Sequence, residues 1–471
     1  MKVLLCASEG IPYIKTGGLA DVIGALPKAL KANGVDVRVM LPYYKKIKEK
    51  NIASYVGYAY VRIENRNEYV GVFHAKSDDI DYYFIDNDRY FSRPNLYGYG
   101  DDGERFAFFD FAILEALKVI DFIPDVLHLN DWQTGLVPYI LRNNYQYYAQ
   151  YRSIRTIYSI HNIQYQGIFP KDIMNIMFMP YDSSLEFDDN INYMKSAIIN
   201  SNLITTVSDT YRNEVLTPQY SYGLEYILEL RRNDFYGIVN GIDINKYNPE
   251  TDPNIYNNYS EKDVTKGKLK NKKALCKEFG ISNTNAPLFG LVSRLVDQKG
   301  IDILLPIIED VINYSNANFI LMGSGDKYYE DSFRYFENRY PDRFKCYIGY
   351  NDSVAQKIYA GSDIFLMPSK FEPCGLGQLI ALRYGTLPLV RETGGLKDTI
   401  QPYNQYEGTG WGFSFSNYNC DSLKEVMYLA IEVFNHNKKA WDNLVDEAMK
   451  QDYSWNKSAM KYLELYKKLL G

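Results

Sequence analysis

At 471 residues the chain exceeds the size at which one hydrophobic core keeps growing, so two domains are expected. A net charge of −6 excludes a general nucleic-acid surface, and no apolar run approaches the roughly 18 residues of a membrane span. The opening MKVLLCASEG turns polar too soon for a signal peptide, and five scattered cysteines (Cys6, Cys276, Cys346, Cys374, Cys420) without a CxxC pair read as reduced thiols of a cytoplasmic protein.

The first half opens with a strand at Val3–Cys6, a loop carrying Lys15, Gly17 and Gly18, and a helix through Val22, Leu26 and Leu30 that Gly34 ends. Strand, glycine loop and helix form the first unit of a Rossmann-like layer. A strand follows at Asp36–Leu41. Alternating Val, Tyr and Phe from Ser54 to Ile85 predict an antiparallel excursion, followed by a long helix over Arg105–Val119. Further strands at Val126–Leu129 and Thr156–Ile160 end at Asn130-Asp131 and at His161-Asn162, so polar groups gather at strand ends. Leu203–Val207 and Gly237–Val239 add two more. The segment Asn240–Gly267, rich in Asn, Asp, Tyr and Pro, reads as a surface linker.

The second half repeats the grammar without a repeat in sequence: strand Leu288–Val292, polar loop Ser293–Gly300, a helix from Asp302 and strand Phe319–Met322. The unbroken apolar run Ile364–Met367 reads as a strand buried on both faces. Pro373 then bars helical geometry at Glu372, and a helix opens at Gly375 and Gly377. In an open parallel sheet ligands bind outside the carboxyl ends of the strands, which makes Glu372 a site candidate, although an acidic loop tip explains it equally well on its own. The tail from Asp421 reads as helical, interrupted near Tyr453–Trp455. The resulting expectation is an α/β protein of two Rossmann-like domains, residues 1–240 and 241–455, with a last helix over 456–471 crossing back to the first.

Arg294 and Lys299 flank the loop after strand Leu288–Val292, where two cations can hold a diphosphate as it leaves and supply charge neutralisation without a metal. The alternative is a pair of solvated surface charges. Lys15-Thr-Gly-Gly is no Walker loop, and no GxxxxGK[ST] or HExxH occurs. The four histidines are isolated, so no metal site is expected. Asp86-Asn87-Asp88 has the DxD look of metal-dependent sugar transferases but sits where a strand turns into a loop. Gly323-Ser324-Gly325 follows a strand, yet Tyr328 replaces the third glycine of a dinucleotide fingerprint. The 45 tyrosines are explained for the most part by compositional bias.

Eight segments in order resemble one family: KTGGLADV (15–22), YGDDGERFAFF (99–109), HLNDWQTGLVP (128–138), YSIHNIQYQGIFP (158–170), VNGID (239–243), SRLVDQKG (293–300), FEPCGLGQL (371–379) and TGGLKDT (393–399). The chain resembles bacterial glycogen synthases and plant starch synthases, retaining glucosyltransferases of the GT-B fold with two Rossmann-like domains facing a cleft. The resemblance implies transfer of glucose from ADP-glucose to the non-reducing 4-hydroxyl of an α-1,4-glucan such as glycogen, without cofactor, metal, nucleic acid or membrane. It places Lys15, Gly17 and Gly18 near the donor's diphosphate and glucose, Arg294 and Lys299 on the diphosphate, and His161 on the glucose 6-hydroxyl. Glu372 would orient the sugar or stabilise charge at its anomeric carbon, beside the amides of Gly375 and Leu376. Asp131, Asp21 and Asn162 are expected near the substrates and Cys374 in the pocket lining.

Members with an EPFGL motif carry a second glutamate eight positions after the first. Ile380 stands there, and Gly377 stands where many members have Thr. Ile380 favours the glycogen synthase branch over a UDP- or GDP-sugar transferase. The alternatives are a GT-B transferase with another donor, such as UDP-glucose, and a non-catalytic glucan-binding relative.

Overall fold

Strand β1 (Lys2–Cys6) buries every residue after Lys2, as its apolar sequence requires of a strand covered on both faces. In the computed structural model, which describes residues 1–471, it lies within a nine-stranded sheet. The other strands are β2 (Asp36–Pro42), β3 (Ser54–Ile63), β4 (Arg66–Ser77), β5 (Ile80–Asp86), β6 (Val126–Asn130), β7 (Arg155–Ile160), β11 (Leu203–Thr206) and β12 (Phe235–Gly237). Their order is β12-β11-β7-β6-β1-β2-β5-β4-β3. All neighbours pair in parallel except β3 with β4 and β4 with β5. The Ser54–Ile85 excursion is therefore a hairpin whose returning strand, β5, rejoins β2 in parallel. A separate small sheet joins β8 (Ile168–Pro170), β10 (Asn190–Asn192) and β9 (Glu186–Phe187).

The helix Gly18–Ala32 buries Leu19, Val22, Ile23, Leu26 and Leu30 at helical spacing and stops at Asn33, followed by Gly34 at φ 80°. The last helix, Trp455–Leu470, packs on it. Its Tyr466 hydroxyl meets His128 Nδ1 at 2.7 Å, while Ser159 Oγ holds Nε2 at 2.7 Å. Both ring nitrogens of His128 are thus occupied inside the core. This first unit comprises Met1–Ile238 and Trp455–Gly471.

The second unit, Val239–Ser454, is built on six parallel strands: β13 (Leu288–Val292), β14 (Asn318–Gly323), β15 (Phe344–Ile348), β16 (Ile364–Met367), β17 (Leu387–Arg391) and β18 (Phe413–Phe415). Their order is β15-β14-β13-β16-β17-β18.

Four expectations need correction. The helix predicted from Arg105 begins at Asp102, because the buried Arg105 guanidinium bonds the Asp102 carboxylate and so draws the polar stretch into the first turn. The strand expected at Gly237–Val239 lies at Phe235–Gly237, since its only partner, β11, ends at Thr206. The supposed linker 240–267 is packed: Ile242, Ile255 and Tyr259 are core residues, and the Tyr259 hydroxyl donates to Tyr384 O at 2.7 Å. Its Asp and Asn side chains cap local turns, as Asp243 does for the Asn245 amide and Asp252 for that of Asn254, so its polarity reflects turn chemistry rather than solvation. The tail breaks at Asn437 as well as near Tyr453, the Asn437 side chain capping the helix Lys438–Lys450.

Each large sheet reverses its strand order once. In the first unit β1 pairs with β2 on one side and β6 on the other; in the second β13 pairs with β14 on one side and β16 on the other. Such a switch point opens a crevice at the carboxyl ends of the two diverging strands. The loops that leave β1, β6, β13 and β16 at those ends carry Lys15, Asp131, Lys299 and Glu372.

Candidate active site

In the first unit the residue that organises the crevice is one the sequence reading passed over. Glu9 is buried, and its Oε2 accepts from the Thr16 amide, from Thr16 Oγ1 at 2.8 Å and from the Gly17 amide at 3.3 Å. Those bonds tie the glycine loop to the end of β1. Burial pushes the Glu9 carboxyl up, the loop bonds act against that, and the charge of Asp131 adds to it. Tyr97 closes the group, its hydroxyl 2.7 Å from Ser8 Oγ.

Lys15 pairs with Asp21 at 2.8 Å on the exposed side of the same loop. Gly17 has extended backbone angles, and a Cβ on Gly18 would meet nothing within 4 Å. The folded chain itself therefore demands neither glycine.

Asp131 follows β6 directly, at φ 56° and ψ 179°, a strained backbone combination that glycine adopts far more readily than Asp. Its Oδ1 accepts the His161 amide at 2.8 Å, and the Asn162 amide bonds the same carboxylate, which joins the ends of β6 and β7. Burial nevertheless pushes the carboxyl up to about 7. Asn130 Nδ2 donates to Cys6 O and His128 O, so its Oδ1 faces His161 Nε2 at 2.9 Å as an acceptor. His161 is thereby held as the Nε2–H tautomer with Nδ1 left to accept, and burial lowers its pKa to about 4. The Asn162 side chain caps its own turn, accepting the Gln164 amide at 3.0 Å.

In the second unit Lys299 Nζ donates to Glu372 Oε2 at 2.5 Å, and Ser369 Oγ reaches the same oxygen at 3.1 Å. Glu372 is 7% exposed. The two loops are stitched by the Lys370 amide on Gln298 O at 2.9 Å. Gly300, at φ 73°, is required there: a Cβ would stand 2.0 Å from Pro368 O. Arg294 lies exposed in the same loop, bonded weakly to Gln298 at 3.4 Å.

The TGG turn braces Glu372 from behind. The Gly395 amide donates to Glu372 O at 3.2 Å, and a Cβ on Gly394 would lie 1.9 Å from that carbonyl. Gly375 is left-handed at φ 73°, and the buried Gln378 amide bonds the Cys374 and Gly375 carbonyls at 3.0 Å each. Leu376 precedes the helix Gly377–Arg383, which no side chain caps. Burial pushes the Cys374 thiol up to about 12, so it is no ready nucleophile. Ile380 is buried in the core, and a Cβ on Gly377 would stand 2.9 Å from the Phe365 ring, so close packing of helix on strand accounts for both departures from the pattern. Asp86 and Asp88 are both bonded to Lys48, which gives the DxD-like triplet a structural partner. Gly323 and Gly325 let the Ser293–Leu295 backbone approach, since their Cβ atoms would lie 2.0 and 2.3 Å from the Ser293 and Leu295 carbonyls.

Glu9 and Ser369 lie outside the matching segments, and only their place just after a strand could have singled them out; Asn130 and Gln378 lie inside HLNDWQTGLVP and FEPCGLGQL, where no spacing marks them as site residues.

Comparison with known proteins adds to this geometry. Residues 2–230 match the family model described as starch synthase catalytic domain, and residues 276–443 that of glycosyl transferases group 1. A glycogen synthase of Acholeplasma laidlawii (strain PG-8A) is 47% identical over 475 residues, covering 100% of this chain and 99% of its own. One from Clostridium perfringens (strain 13 / Type A) is 48% identical over 479 residues, covering 100% and 98%. The catalytic domain of starch synthase IV from Arabidopsis thaliana, solved bound to ADP and acarbose, superposes with a TM-score of 0.90 at 32% identity over 99% of both chains. Sucrose-phosphate synthase from Thermosynechococcus elongatus, at TM-score 0.62 and 15% identity over 99% and 98%, shares the fold.

Proposed function

The chain belongs to the glycogen and starch synthase family, and we propose that it transfers glucose from ADP-glucose to the non-reducing 4-hydroxyl of an α-1,4-glucan with retention of configuration. The observation that carries this reading at the residue level is the Lys299–Glu372 pair at the switch point of the second sheet. An ammonium that already bonds one carboxylate has two further N–H donors for a diphosphate. Arg294, exposed in the same loop, adds a planar fork suited to phosphate oxygens. Two cations stabilise the leaving diphosphate, and no metal ion is then needed.

Glu372 serves as the negative group beneath the sugar, countering positive charge at the anomeric carbon as the bond to the diphosphate breaks. The acceptor 4-hydroxyl attacks from the face the diphosphate leaves, and its proton passes to a departing phosphate oxygen. The alternative double displacement needs a carboxylate free to attack. Two donors on Glu372 Oε2 weaken it as a nucleophile and favour the front-face route. His161, with Nδ1 open to a hydroxyl, takes the glucose 6-hydroxyl, and Asp131 with Asn162 serves the sugar beside it. Lys15, Asp21 and the uncrowded Gly17 and Gly18 give a ligand close approach to the first helix. Gly375 and Leu376 offer backbone amides, and Cys374 lines the site.

The chain has no helix long and apolar enough to cross a membrane, and its five cysteines are free; we place it in the cytoplasm. The stereochemical claim is tested by proton NMR of the product from ADP-glucose and maltotetraose. An α-anomeric signal in the first product supports it, and a β-linked first product contradicts it.

A further inference from the structure

Between the two loops that bring Lys299 to Glu372 stands a tyrosine that none of the matching segments contains. Tyr418 lies three residues past β18, just before Asn419 caps the helix Cys420–His436. β18 is the edge strand, three places from β13 in the sheet, so no ladder pairing explains why Tyr418 meets the Lys299 turn. The meeting is made by side chains.

The Tyr418 hydroxyl donates to Asp302 Oδ1 at 2.5 Å and, more weakly, to Asp297 O at 3.4 Å. These acceptors bracket Lys299 in the chain. Asp297 opens the single turn Asp297–Lys299, and Asp302 stands in the first turn of the helix Ile301–Tyr314. Between them lies the left-handed Gly300, whose amide bonds Asp297 O at 3.0 Å. Tyr418 therefore clasps both ends of the turn that aims the Lys299 ammonium. Tyr329 gives Asp297 a second phenol donor, at Oδ1.

The ring is fixed from the other loop. Arg391 Cζ lies 5.4 Å and Lys370 Nζ 5.9 Å from its centroid, and the negative face of a phenol attracts such cations. Arg391, the last residue of β17, donates through Nη1 to Lys370 O and through Nε to Ser416 O at 3.3 Å. Lys370 stands two positions before Glu372. The ring thus belongs with the Glu372 loop and the hydroxyl with the Lys299 turn. Burial, and after it the bond to Asp302, pushes the phenol well above its ordinary value, so the hydroxyl keeps the proton it donates.

We propose that Tyr418 is a positioning residue for glucosyl transfer, holding the Lys299 turn in register with the Glu372 loop so that the ammonium meets the diphosphate of the donor. The inference rests on the glucosyltransferase reading, because Tyr418 acts through Lys299. Stabilisation of a developing charge depends on donors already fixed in place, and a small displacement of the turn forfeits part of it.

Tyr418→Phe tests this, since it keeps the ring against Arg391 and Lys370 and removes only the hydroxyl. With ADP-glucose and glycogen saturating, kcat should fall about five- to tenfold, with the KM for glycogen at the parent's value, because a bond to a carboxylate is lost. In the Lys299→Ala background the same substitution should change kcat by less than about twofold, as expected of two residues acting as one unit. Tyr428→Phe removes a phenol hydroxyl bonded to Asp310 O at 3.3 Å elsewhere in the second unit and should leave both constants unchanged. A parental kcat in Tyr418→Phe overturns the proposal. So does a loss that persists undiminished without Lys299, which would assign Tyr418 to general support of the fold. Should the parent transfer no glucose, the glucosyltransferase reading fails by itself, and the same cycle read as ADP affinity by calorimetry decides the positioning. A loss of about threefold that vanishes in the Lys299→Ala background supports it. An affinity untouched by Tyr418→Phe, a loss that persists without Lys299, or a parent that binds no ADP overturns it.

Discussion

Lys299 Nζ lies 2.5 Å from Glu372 Oε2 although 73 positions separate them in the chain. Neither residue is in a strand. Each follows one of two parallel neighbours, β13 and β16, and the pairing of Phe289 with Ile364 in that ladder brings their loops together. The contact is a product of topology, and the chemistry proposed for the protein depends on it.

Lys299→Ala should lower kcat by about a hundredfold or more, because one lost contact to charge developing on the leaving diphosphate costs roughly 3 kcal/mol. Steady-state rates with saturating ADP-glucose and glycogen check this; an unchanged turnover number would remove Lys299 from the mechanism.

Glu372→Gln keeps the size of the side chain and an acceptor for Ser369, so the fold should persist while most activity is lost. Intact mass spectrometry after mixing with donor alone should show only the unmodified chain. A trapped glucosyl adduct at another residue would speak for double displacement and against front-face attack.

Gly300→Ala places a Cβ against Pro368 O in a backbone conformation that alanine resists. Stability should fall by about 1–3 kcal/mol, and kcat should fall with it as the Lys299 loop is displaced. Chemical denaturation and kinetics read both; a variant of parental stability and rate would show that the loop has slack.

Removing the acceptor in Glu9→Ala leaves the Thr16 and Gly17 amides without their partner, at a cost of about 1–3 kcal/mol. The KM for the donor should rise, because Lys15 rides on the same loop. A donor KM equal to the parent's would separate the loop from substrate binding.

Asp131 and His161 make opposite contributions to pH dependence. The Asp131 carboxyl is raised from 3.8 to about 7, so between those values the folded chain holds a proton that the unfolded chain has released; its contribution to stability is lost as pH rises through the window. His161 is lowered from 6.5 to about 4, so there the unfolded chain binds the extra proton and stability is lost as pH falls from 6.5 to about 4. In the parent the two slopes offset each other over the shared range. Asp131→Asn should therefore gain stability with pH more steeply than the parent below pH 6.5 and lose the parent's decline between 6.5 and 7. Urea melts across that range check it, and parallel pH profiles would contradict the assignment.

Much of the fold was legible because parallel strands buried on both faces leave unbroken apolar runs. Leu288–Val292 and Ile364–Met367 lie where those runs are. Loops were harder to read, since polar residues that cap turns look like polar residues that face water, and Asn240–Gly267 was misjudged on that ground. The motifs brought out Lys15, His161, Arg294, Lys299 and Glu372 as candidates, but spacing could not say that β13 and β16 are neighbours and hence that Lys299 meets Glu372. Glu9 escaped because a single carboxylate after a strand has no periodicity to betray it.

The most direct test of the central claim is release of nucleoside diphosphate from ADP-glucose and from UDP-glucose, each with and without glycogen, in the presence of EDTA. The account predicts release from ADP-glucose that depends on glycogen and is indifferent to EDTA. Release from UDP-glucose alone would contradict the donor assignment, and release abolished by EDTA would contradict the role given to Arg294 and Lys299.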